Sequence, residues 1–60
     1  MFAVGTYVQV VNHSDEGCSG QYGMVTLVEL AYNGRTLFYT VELQDSMQLC
    51  MCTEDELMEG

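Results

Sequence analysis

Met24-Val25-Thr26-Leu27-Val28-Glu29-Leu30-Ala31-Tyr32-Asn33-Gly34-Arg35-Thr36-Leu37-Phe38-Tyr39-Thr40-Val41-Glu42-Leu43 consists of two apolar-rich arms around Asn33-Gly34. A two-residue type I′ turn needs positive φ at both central positions, and Asn-Gly tolerates this best, so the segment predicts a β-hairpin. Pairing Tyr32 with Arg35 sets Leu30 opposite Leu37, Val28 opposite Tyr39, Thr26 opposite Val41 and Met24 opposite Leu43, and this face is the expected core. The other face takes Ala31 with Thr36, Glu29 with Phe38, Leu27 with Thr40 and Val25 with Glu42, and is expected to be at least half exposed. Slipping the register by one residue would bury Glu29 and Glu42, whose desolvation nothing nearby offsets.

Outward from the hairpin, Thr6 to Val11 alternates as a first strand, with Val8 and Val10 on one side and Gln9 on the other. Asn12-His13-Ser14-Asp15-Glu16-Gly17-Cys18-Ser19-Gly20 is dense in turn formers and reads as an exposed loop. Beyond Leu43, Gln44-Asp45-Ser46 turns the chain. Met47, Leu49 and Met51 then alternate with Gln48, Cys50 and Cys52. Thr53 with Glu56 three residues later has the form of a capping box, acidic residues in a first turn suit the helix dipole, and one helical turn is expected before Leu57 tucks against the sheet. Gly17, Gly20 and Gly23 lack the Lys of a phosphate-binding loop and lead into a strand, so they are expected to serve bends and close approaches.

Short strands around one long hairpin must curl to hide a core, which predicts an all-β, strongly bent antiparallel barrel of four to five strands with a C-terminal helical turn, one domain over residues 1–60. The pattern resembles SH3-like barrels of the KOW type. Val4-Gly5-Thr6-Tyr7-Val8-Gln9-Val10 is similar to their opening strand, Gly20-Gln21-Tyr22-Gly23-Met24-Val25 to the glycine-marked start of the second, Tyr39-Thr40-Val41-Glu42-Leu43 to the central strand and Glu54-Asp55-Glu56-Leu57 to the closing turn. The basic loops with which such barrels bind RNA or ribosomal proteins are replaced here by Asp15 and Glu16.

Composition narrows the function. Nine carboxylates face one cationic side chain, Arg35, for a net charge of -8 over 60 residues. Phosphate backbones and anionic membranes need Lys and Arg, so direct binding to either is not expected, whereas a basic protein surface is a natural partner. No run approaches the ~18 apolar residues of a membrane span, and the first residues lack a positive targeting region, so a cytoplasmic protein is expected. Three cysteines are an odd count, and Cys50 and Cys52 lie about 6.6 Å apart on one strand face, so reduced, packed thiols are expected. Neither a metal site built from Cys18, Cys50, Cys52 and His13 nor any cofactor is expected. Glu54, Asp55 and Glu56 point in different directions from adjacent positions, and His13 lies in a polar loop without a poised nucleophile, so no catalytic residue is assigned.

The acidic surface is therefore the candidate site: Asp15, Glu16, Glu29, Glu42, Asp45, Glu54, Asp55, Glu56 and Glu59, with Tyr22, Tyr32 and Phe38 as aromatic anchors. In size, sign and compactness the chain resembles the short acidic inhibitors of phages and mobile elements, including anti-CRISPR proteins. That resemblance implies a monomeric nucleic-acid mimic that blocks a basic surface of a CRISPR-Cas effector or similar enzyme. The alternative is an accessory subunit docking on a larger complex through the sheet face of Phe38, Leu27 and Val25.

Overall fold

The computed structural model describes residues 1–60 and contains five strands: β1 (Tyr7–Val10), β2 (Tyr22–Leu30), β3 (Leu37–Leu43), β4 (Leu49–Cys52) and β5 (Leu57–Glu59). They form one antiparallel sheet in the order β4-β3-β2-β1-β5, and a 3-10 turn at Glu54–Glu56 links the two edge strands. The sheet bends enough for Cys52 on one edge strand and Leu57 on the other to enter the same core with Val8, Val10, Val25, Tyr39, Val41 and Leu43. Phe2 packs edge-on against Tyr39, with ring centroids 5.6 Å apart, and covers one end. No helix is long and apolar enough to cross a membrane.

The hairpin pairs as expected near its tip. Leu30 faces Leu37, Glu29 faces Phe38, Val28 faces Tyr39 and Leu27 faces Thr40. The register then shifts between Val25 and Leu27, so that Val25 meets Val41, Met24 meets Glu42 and Gly23 meets Leu43. The cause lies in β3, whose Leu37, Tyr39, Val41 and Leu43 all point inward, while the inward groups of β2 fall at Val28 and Val25, an odd spacing that one extra residue must absorb. Thr26 is that residue, and its hydroxyl donates to the Thr40 carbonyl at 3.3 Å. The expected pairings of Thr26 with Val41 and Met24 with Leu43 are thereby replaced. Val25 becomes core, Met24 turns outward, and Glu42 stays outside.

The turn also differs from expectation. Gly34 has φ +72°, but Asn33 is not in the left-handed region. Gly34 N–H donates to the Ala31 carbonyl at 2.8 Å, closing a turn over Ala31–Gly34, and Asn33 Oδ1 accepts from Arg35 N–H at 2.8 Å. Asn33 thus works through its side chain, and the connection widens to a longer loop whose next cross-strand bond is Ala31 N–H to the Thr36 carbonyl. Leu30 lies 61% exposed because this tip projects beyond β1 and β4, which pair only with the other end of the hairpin.

On β4 the alternation is as expected, and the cysteine side is the buried one. Cys18 and Cys50 are joined as a disulfide, with Cα atoms 6.2 Å apart, which corrects the expectation that all three thiols are reduced. Adjacent cysteines on β4 could not bridge, but the β1–β2 loop folds Cys18 over the strand, and only the third dimension brings the pair together. Cys52 keeps a free, buried thiol. Gly23 meets the expected close approach, since a Cβ there would stand 2.3 Å from the Glu42 carbonyl oxygen.

Candidate functional site

The outer face of the sheet is built from the residues that alternate with the core. Register places Leu49, Glu42, Met24 and Tyr7 in one row across β4, β3, β2 and β1, and Met51, Thr40 and Leu27 in the next. Tyr22, Gln9 and Met58 make a third. An ordinary solvated sheet face would carry polar groups at these positions. Here Met24 (48%) and Leu27 (47%) on β2 and Leu49 (62%) and Met51 (57%) on β4 are exposed on the same face, with Glu42 and Thr40 of β3 between them.

Tyr22 stacks on Tyr7 with ring planes 14° apart and centroids at 5.8 Å, and the Tyr7 hydroxyl donates to Gln44 Oε1 at 3.1 Å. These contacts fix the tyrosine pair. Beside it is an open hollow of about 220 Å³ lined by Tyr7, Gly23, Met24, Glu42, Leu43 and Met47, together with Gln44. Met47 reaches it because the β3–β4 turn holds this residue at φ +62°.

The carboxylates divide into groups and do not run as one ridge. Glu29 and Glu42 stand on the outer face of the hairpin. Asp15 and Glu16 lie in the β1–β2 loop, where Asp15 Oδ1 accepts from Gly17 N–H at 2.8 Å and Asp15 N–H donates to His13 Nδ1 at 3.0 Å. Asp45 sits in the β3–β4 turn and Glu59 on β5. Among the aromatic candidates, Phe38 and Tyr22 share the outer face, whereas Tyr32 is fully exposed at the hairpin tip, away from them. Arg35 makes no ion pair. It borders a second open hollow with Glu54 and Asp55.

Part of the acidic turn is structural. The capping box forms as expected, with Thr53 N–H donating to Glu56 Oε1 at 2.9 Å. Glu54 accepts from the N-terminal ammonium and, at 3.1 Å, from the Tyr39 hydroxyl, and these two bonds hold its carboxyl below the usual carboxylate range. The Cys52 thiol is pushed up to about 11, first by burial and then by the neighbouring Glu56 charge.

The sequence reading missed the patch centred on Met24, Leu49 and Met51. The signal was present, because Leu49 and Met51 share an alternation with Met47, but their side of the sheet depends on the register with β3, which sets them beside Glu42 and Thr40. Compared with protein-family models, with curated proteins and with solved structures, the chain matches none.

Proposed function

We propose that this chain is a non-enzymatic binding module that docks on a basic protein surface through the outer face of its sheet. The observation that carries the reading is Glu42, which shares an open hollow with Tyr7, Met24, Leu43 and Met47, beside the polar Gln44. Apolar and aromatic walls suit the methylene stem of an arginine or lysine, and the carboxylate suits its cationic head. Leu27, Leu49 and Met51 around it supply the desolvated area that an interface needs. The net charge of -8 then steers a cationic partner toward the molecule before contact.

The near-absence of Lys and Arg favours a second, narrower form of this reading. A surface basic enough to select so acidic a partner is the kind that binds nucleic acid, so the module would act as an inhibitor that occupies such a surface on an effector of the CRISPR-Cas type. The two forms separate by competition: single-stranded DNA or RNA displaces an inhibitor of that kind from its target and leaves an accessory subunit in place.

The test is affinity capture from a cell lysate at low and high salt, with wild type, Leu27→Asp, Glu42→Gln and Glu16→Gln as baits. Proteins held by wild type should be lost with Leu27→Asp, weakened with Glu42→Gln and retained with Glu16→Gln. Equal capture by wild type and Leu27→Asp, with both baits folded, would remove the outer face as the interface.

A further inference from the structure

We propose that His13, Cys52 and Glu56 form a zinc site that clamps the β1–β2 loop to the C-terminal end of the sheet. An imidazole nitrogen, a thiol sulfur and a carboxylate oxygen from three separate segments all lie within 4.8 Å of one another. In a tetrahedral zinc site, with Zn–S near 2.3 Å and Zn–N or Zn–O about 2.0–2.2 Å, ligand atoms stand roughly 3.3–3.8 Å apart. Side-chain rotation of about 1 Å closes the difference, and the fourth position falls to solvent.

Cys52 supplies the thiol of this set. It is 0% exposed, yet its sulfur has only a 3.9 Å contact to the Cys50 carbonyl of its own strand, and it faces a carboxylate. Because Cys18 and Cys50 are tied to each other, Cys52 is the one thiol free to bind an ion.

The neighbours already orient the other two ligands. His13 Nε2 lies 2.8 Å from the Met51 carbonyl oxygen and Nδ1 accepts from Asp15 N–H. Zinc at Nδ1 displaces the Asp15 N–H, while Nε2–H goes on donating to the Met51 carbonyl and aims the ring, as backbone partners of metal-bound histidines do. Glu56 spends one oxygen on Thr53 N–H and has a second to offer. A nitrogen, sulfur and oxygen set with one open position suits Zn²⁺ and excludes Mg²⁺ and Ca²⁺, which require oxygen shells. On binding, the Cys52 S–H bond breaks, a zinc–thiolate bond forms, and the proton passes to solvent.

The test is titration of the disulfide-intact protein with Co²⁺, which reports thiolate ligation through an intense near-ultraviolet sulfur-to-cobalt band and tetrahedral geometry through visible d–d bands. One ion per chain should bind with a rise in Tm, and Zn²⁺ should bleach the bands. Cys52→Ser should abolish the ultraviolet band, and His13→Ala and Glu56→Gln should each weaken binding at least about tenfold. Glu56→Gln keeps an acceptor for Thr53 N–H, so its loss of affinity reports ligation and not unfolding. Absence of the sulfur band at one equivalent, or binding unchanged in both His13→Ala and Glu56→Gln, would overturn the site.

Discussion

Reducing the Cys18–Cys50 bond should remove a large part of the stability of this fold. The bridge closes a loop with a sequence separation of 32. Loop-closure entropy for that length, −2.1 − 1.5R ln n in cal/mol/K, amounts to about 3.7 kcal/mol at 25 °C. Domains of this size have a total unfolding free energy of roughly 3–9 kcal/mol, so the reduced chain should sit near the edge of unfolding. Reduction leaves both sulfurs in place in the core, and the comparison therefore isolates the cross-link from packing. Urea unfolding followed by tyrosine fluorescence, with and without a phosphine reductant, measures the difference, and alkylation under denaturing conditions confirms three reactive thiols against one. An unfolding free energy unchanged to within ~0.5 kcal/mol after verified reduction would refute the reasoning.

Three further outcomes follow from the same packing. Gly23→Ala places a methyl group 2.3 Å from a backbone oxygen that cannot swing aside, and should lower the unfolding free energy by about 1–3 kcal/mol or more, read by urea titration. Leu27→Asp changes a half-exposed outer position and should alter stability by no more than about 1 kcal/mol while eliminating partner capture. Glu54 has a folded pKa below its usual 4.5, so its contribution is fully present above that value and is lost as pH falls through the lower folded one. The Tm of wild type should therefore drop more steeply than that of Glu54→Gln on acidification below about pH 4.5, and parallel curves would contradict the assignment.

Much of the fold was legible because it rests on local rules. The pattern of Leu37, Tyr39, Val41 and Leu43 put β3 in the core by alternation alone, and Thr53 with Glu56 marked the capped turn. What was not legible needed three dimensions. The register of β2 near Met24 depends on a single extra residue at Thr26, which alternation cannot detect, since it changes phase in mid-strand. The disulfide unites positions that no spacing rule connects, and the pairing of Cys50 with Val41 and Leu49 with Glu42 across β3 turns Cys50 inward and Leu49 outward. The acidic candidates were named on charge alone. Net charge carries no information on placement, which is why the structure divides them between the outer face, the loop and the turn.

Native methionines offer a direct probe of the outer face. Met24 and Met51 are 48% and 57% exposed at its centre, while Met1, at 87%, is held by Glu54 beside the turn. Dilute peroxide oxidation of the free chain and of the chain bound to its captured partner, read residue by residue by mass spectrometry, compares these positions in one sample. Docking through the outer face requires that Met24 and Met51 become protected in the complex while Met1 oxidises at its free rate. Oxidation of Met24 and Met51 at the same rate in both states would contradict it.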